Sequence, residues 1–323
     1  MKKALCIFLF ASLAVCAQEK NKITKTSKDI YGLPGNIQKH NEQPLYKLIL
    51  TSNECSFYLL VNDFPLYKFF GSNEGIAATS LPMNGNIVKS GKQKITIKMY
   101  PKFNSETKEM EKTLGVNAGV KFHIEKETRG NDENIFEYQT PFKEFDGKGS
   151  GGFPDPQKSY YEETVYVDLK LPYSISTLEN SQNLYTEESE KIKLLETEVI
   201  AKYNEIRNIY LNGTRDDLAN INYEKEKRLA QQMYFAKDEV KRGWDNDYQF
   251  RTDSNLEFFD LKPIDNYELK FYANGKLVSL EKINNKKSAL WGGFKRKDKE
   301  VGTTTYITIY LHRPKGSTKL EVY

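Results

Sequence analysis

The chain has 323 residues, room for two or three small domains, with 38% hydrophobic and 28% charged residues. That is polar but not disordered, because 21 Tyr and 18 Phe supply bulk for a core. A formal charge of only +4 argues against a dedicated nucleic-acid binder, which needs a strongly basic footprint.

Residues 1–17 read as a signal peptide. Lys2 and Lys3 give a short positive start, and 4–15 is apolar apart from Ser12. The run is too short to span a bilayer as a helix but suits the apolar segment of a secretory signal. Val15-Cys16-Ala17 offers a small-residue cleavage site before Gln18. Leu13-Ala14-Val15-Cys16 also resembles a bacterial lipobox, although Val15 stands where Gly, Ala or Ser is normal. Two endings therefore stay open: cleavage after Ala17, or a lipid on Cys16 as the chain's membrane contact. A buried N-terminal helix is a third, structural alternative. No second long apolar run follows. Cys55 would then be the mature chain's single cysteine, so the core must hold the fold without a disulfide. Strand alternation puts Cys55 beside Phe57, Leu59 and Val61, as a buried, inert thiol.

Residues 18–43 are polar and lysine-rich, with Gly32, Pro34 and Gly35, and read as a tether or loosely ordered arm. Strand character begins at 44. Residues 45–50 and 57–61 form two strands, and Asn62-Asp63 and Asn84-Gly85 mark turns. In Ile95-Thr96-Ile97-Lys98-Met99 the apolar and polar residues alternate most clearly, and 120–124 and 164–169 repeat the pattern. Residues 44–173 thus predict a β-sandwich-like module, with a Gly/Pro loop at 146–156.

The period changes near Glu187. Ile192, Leu195, Val199, Tyr203, Ile206 and Ile209 recur at spacings of three and four, one apolar helical stripe. Asn212-Gly213 ends it, and Thr214 caps a second helix with Asp216 and Asp217 at its positive end. Leu218, Ile221, Leu229 and Met233 give that helix its inner side. An antiparallel helical hairpin is predicted over 187–236, packed on β structure. Asp245-Asn246-Asp247 lacks the glycine and distant glutamate of a calcium loop and reads as a solvated turn.

A second β module is predicted over 255–323. Asn274-Gly275 predicts a two-residue hairpin turn, 303–312 one strand, and 320–323 a last one. Ile307-Thr308-Ile309-Tyr310-Leu311 echoes the 95–99 block, with Pro101 and Pro314 following each. The echo fits a duplicated β unit, or one larger sandwich interrupted by helices. The predicted class is mainly β with an α-helical hairpin, two β-sandwich-like modules separated by two antiparallel helices.

Chemistry is sparse. His40, His123 and His312 lack carboxylate or cysteine neighbours at metal-ligand spacing and read as surface or edge residues. Gly147-Lys148-Gly149-Ser150-Gly151-Gly152 spells G-x-G-x-x-G, but Phe153-Pro154-Asp155-Pro156 follows where a phosphate-binding helix must start. The stretch around Gly91-Lys92 misses the Walker spacing. No catalytic residue, cofactor or metal is assigned, and the chain reads as no enzyme. The candidate partner-binding set is Trp291, Phe294, Lys295 and Arg296, on a basic, glycine-hinged loop over 286–299. In the competing reading, Trp291 and Phe294 fill the core of a hairpin. Trp244 and Trp291 are candidate platforms for sugars.

The expected function is non-catalytic binding or structural work in the periplasm or cell envelope, toward an envelope protein or a glycan. The alternatives are a glycan-binding β-sandwich protein, an inhibitor or immunity-type protein against a secreted toxin, and a hydrolase with scattered acidic residues. A lipid on Cys16 would make it an outer-membrane lipoprotein. The lysine- and tyrosine-rich texture resembles exported bacterial proteins in style, which implies no activity.

Overall fold

The computed structural model describes residues 24–71, 75–104, 106–107, 109–128, 130–144 and 151–323. The expected signal peptide, Cys16, residues 18–23 of the expected arm and residues 146–150 of the Gly/Pro loop lie outside these residues.

The arm expected at 18–43 is packed from Thr24 onward. Helices α1 (Ser27–Tyr31) and α2 (Leu33–Asn36) bury Ile30 and Leu33 completely. They rest against Leu218, Tyr223, Val240 and Trp244 of later helices. Polar composition hides the segment because only Ile30 and Leu33 among its apolar side chains are fully buried, with Tyr31 and Ile37 packed beside them, while Asn220 and Asp216 accept its backbone N–H groups.

Eight strands follow in two antiparallel sheets. Strands β1 (Leu45–Asn53), β4 (Gly75–Pro82), β8 (Gly119–Thr128) and β9 (Asn131–Gln139) run in the order β4-β1-β8-β9. Strands β2 (Cys55–Val61), β3 (Phe64–Phe69), β5 (Gly91–Pro101) and β12 (Tyr161–Leu169) run in the order β12-β5-β2-β3. Between these lie two short ribbons, β6 (Phe103–Asn104) with β7 (Glu109–Met110), and β10 (Lys143–Glu144) with β11 (Gly151–Gly152). Period-two alternation sends Leu48, Leu50, Phe57, Leu59, Ile95, Ile97, Phe122 and Ile124 into one shared core. Burying each such side chain contributes roughly 1.5–3 kcal/mol. Cys55 sits in this core, and burial pushes its thiol up to about 12, so it is un-ionised at neutral pH.

The predicted stripe appears in α3 (Ser189–Asn212), which buries Leu195, Val199, Tyr203 and Ile206. In α4 (Arg215–Met233), Thr214 Oγ1 accepts from the Asp217 N–H while Asp217 accepts from the Thr214 N–H, a reciprocal capping box. Its buried face differs from the expected one. Leu218 is buried, but so are Ala219, Tyr223, Ala230 and the polar Asn222, Arg228 and Gln232, because α4 is enclosed from several sides. The chain does not become a solvated turn at Asp245-Asn246-Asp247. A third helix, α5 (Lys237–Thr252), spans it, and Asp245 pairs with Arg215 and Lys241.

The last β region holds two sheets. One is β13 (Leu256–Leu261), β16 (Trp291–Arg296) and β17 (Thr303–Tyr306), in the order β13-β16-β17. The other is β14 (Tyr267–Tyr272), β15 (Leu277–Lys282), β18 (Leu311–His312) and β19 (Glu321–Val322), in that order. Tyr272 pairs with Leu277, so the hairpin turn has four residues, not two; Ala273, Asn274 and Gly275 all take positive φ. Gly275 is required there, since a Cβ would overlap Asn183 Oδ1. The single strand expected at 303–312 is split. β17 ends at Tyr306 and the chain crosses to the other sheet, so 307–310 belongs to neither. The echo of 95–99 has no counterpart in the pairing, because β5 is an uninterrupted eleven-residue strand.

Among the described residues the chain is thus mainly β, with two long helices, α3 and α4, the shorter α5, and the one-turn α1 and α2. Its two β regions touch through the far face of β2. Tyr58, Leu60 and Phe64 pack with Tyr272, Leu277 and Tyr323. Inside this contact Glu281 is 0% exposed, accepting from Tyr272 Oη at 2.7 Å and Lys68 Nζ at 2.8 Å. Desolvation and the Glu281 charge hold the Tyr272 phenol far above its ordinary value, so it stays a donor. His312, expected at a surface or edge, is also buried, its Nδ1 2.8 Å from Ser181 Oγ. His123 is half-buried with Nε2 3.0 Å from Glu125, and His40 lies against Gln231.

Two predictions follow from these buried groups. Glu281→Ala leaves Lys68 unpaired and costs about 3–5 kcal/mol in urea denaturation, whereas Lys68→Met with Glu281→Leu recovers most of the loss. Burial, aided by the Arg228 charge, lowers His312 from 6.5 to about 4. Between those values the unfolded chain binds the proton and the folded chain does not. Stability is therefore complete above pH 6.5 and falls by about 3 kcal/mol as pH drops toward 4. His312→Phe flattens that part of the stability–pH curve.

Candidate functional site

Trp291-Gly292-Gly293-Phe294-Lys295-Arg296 is not a flexible loop. It forms β16, the central strand of its sheet, paired with β13 on one side and β17 on the other. Gly292 serves close packing between strands. A Cβ on Gly292 would overlap the Asp260 carbonyl oxygen and lie 2.7 Å from Leu261 Cα. Gly293 is roomier, with its nearest neighbour at 3.6 Å.

Strand alternation divides the predicted set. Trp291 and Lys295 share one face of β16, and Phe294 and Arg296 the other. Phe294 lies opposite Phe259 in the register, beside Leu261, which is fully buried. Arg296 reaches Asp253 at 3.6 Å, and Lys295 reaches Glu257 at 2.7 Å. The basic cluster expected of a partner-facing loop is therefore partly neutralised by carboxylates of the preceding strand and its approach.

The Trp291 face holds residues that the local sequence does not announce. Trp291 stacks on Tyr306, its register partner, with centroids 6.2 Å apart and planes at 21°. Lys282 Nζ lies 4.6 Å from the Trp291 centroid, and Lys287 Nζ lies 4.8 Å from that of Tyr306. Such cation–π contacts contribute about 0.5–2 kcal/mol each. Asn285 Nδ2 donates to Tyr306 Oη at 3.1 Å, which fixes the ring. Phe258, 46% exposed, extends the apolar surface across β13. Trp291 Nε1 is buried without a hydrogen-bond acceptor, a costly state for an indole N–H. The face thus offers flat aromatic area and the exposed Lys287 ammonium, while Lys282, 7% exposed and 3.8 Å from Asp265, and the buried indole N–H belong to its packing. It offers no nucleophile beside a base.

Trp244 is no platform. It is 5% exposed, and its Nε1 donates to Ser27 Oγ at 3.2 Å, pinning α1 to α5. Among the described residues no group of three or more His, Cys, Asp or Glu is arranged to hold a metal ion. A groove of about 610 Å³ lies away from Trp291 between α3, α4 and the C-terminal strand. Its acidic lining is partly compensated, since Glu198 pairs with Arg313 and Glu205 with Lys202.

Packing around β16 gives a contrast between its two glycines. Gly292→Ala is expected to lower stability by about 3 kcal/mol, the upper end of overpacking costs. Gly293→Ala leaves stability unchanged or slightly raised, and thermal denaturation of both variants checks this. Comparison with family models, with curated proteins and with solved structures finds no match to this chain.

Proposed function

We propose that this is an exported, non-catalytic binding protein of the bacterial cell envelope, built on β-sandwich-like modules, and that the Trp291–Tyr306 face receives its partner. The observation that carries the reading is the stacked aromatic pair with Lys282 and Lys287 over its rings, beside exposed Phe258. Aromatic and cationic side chains of this kind act as anchors when a partner desolvates them. The export half rests on the signal-like residues 1–17 and on the lipobox-like Cys16. No described helix is long and apolar enough to cross a membrane.

A second reading, glycan recognition, is favoured by the near-parallel rings of Trp291 and Tyr306, which suit the flat face of a sugar. A photo-crosslinking residue at Thr304, on the same face, separates the two. For a protein partner it captures one envelope protein in cells, the capture vanishes in Trp291→Ala, and a crosslinker at exposed Lys89 captures nothing. For a glycan, an array gives hits that Trp291→Ala abolishes. Silence in both experiments removes this face as a binding surface.

A further inference from the structure

Helix α4 buries three polar side chains, and one of them is a full charge. Arg228 is 7% exposed. Its Nη1 donates to Gln232 Oε1 at 2.8 Å and to Gly85 O at 3.2 Å. Its guanidinium lies 3.9 Å from the centroid of the Tyr323 ring. Every one of these partners is neutral. Gln232 is itself saturated, donating to the carbonyls of Asn84 and Ile87 at 3.0 Å.

Among the described residues no carboxylate stands within ion-pair distance of Arg228. Glu224 is one turn earlier on the same helix, the usual place for an intrahelical partner, yet it is exposed and does not reach the guanidinium. A buried, uncompensated cation is costly, and native structures normally supply a counter-charge. Desolvation works against the charged form here, and Tyr323 and the more distant Glu226, which pairs with Lys225, only partly offset it.

Arg228 lines a groove of about 340 Å³ between α4 and the segment 173–177. The same groove is lined by Lys227 and by Ser174, Ser176 and Thr177. Lys227, Ser174 and Ser176 are exposed to solvent. Glu224 is the one carboxylate on its rim. Hydroxyl and ammonium donors around a desolvated guanidinium form the donor set that an oxyanion needs, with Arg supplying the charge-assisted bonds.

We propose that this groove binds a small organic oxyanion, a carboxylate or a phosphate, whose charge is met by Arg228 from below and Lys227 from the rim. The site is separate from the Trp291 face and does not depend on what that face binds.

Calorimetry and thermal denaturation of the full chain test it, with inorganic phosphate, methyl phosphate and succinate compared against chloride at matched ionic strength. At least one of the three binds saturably at a single site and raises the Tm. Arg228→Lys weakens it about tenfold or more, the loss expected for charge-assisted hydrogen bonds. Lys227→Gln, which touches no core, weakens it several-fold while leaving the unliganded Tm unchanged. Should Arg228→Lys not fold, Lys227→Gln and Ser176→Ala carry the test alone. Phosphate without succinate, or the reverse, assigns the oxyanion. No saturable binding of any of the three at millimolar concentration, or binding indifferent to Lys227 and Ser176, overturns the proposal.

Discussion

Glu281 accepts hydrogen bonds from Lys68 and Tyr272 inside an aromatic cluster, and the two β regions meet around it. Tyr58, Phe64, Tyr272, Tyr310 and Tyr323 supply the apolar contact, several of them edge to face. The carboxylate adds direction rather than energy, since a buried ion pair barely offsets its own desolvation. What it fixes is the register of β15. Neighbouring residues on a strand face opposite ways, so Glu281 turns into the joint while Lys282 lies over Trp291. The candidate binding face is therefore one residue removed from the contact that holds the molecule together.

The helices are bound to the first β region by amides rather than by apolar packing alone. Asn84 accepts from the Tyr46 N–H and donates to the carbonyls of Pro44 and Gln232. Gln232 answers by capping carbonyls of the turn at 84–87. A turn that would otherwise bury open carbonyls is completed by a helix almost 150 residues away.

The strand segments were the most legible part of the chain, because alternation survives in any context where one face is wet. Ile95, Ile97 and Met99 needed nothing beyond their spacing. Cys55–Val61 was legible as a strand but not as one buried on both faces, since its second face meets residues beyond 270. Helix α5 carries Val240, Trp244 and Tyr248 at spacings of four, a usable signal lost among charges and Gly243. The packed segment at 24–37, inside the expected arm of 18–43, is not legible because Ile30 and Leu33 alone make no period. At the candidate site, Trp291 stands out by composition alone. Its companions Tyr306 and Lys282 come from other strands, and only pairing brings them near.

Ile30 and Leu33 are covered by residues 218 to 244, and the bonds that seat them span 189 to 217 positions. Such contacts close late, because the entropy of a long loop must be overcome before they form. A chain emerging from its N-terminus first exposes this segment bare until most of the polypeptide is present. This early segment is thus the last to be secured, and its protection from proteases reports that folding has reached its end.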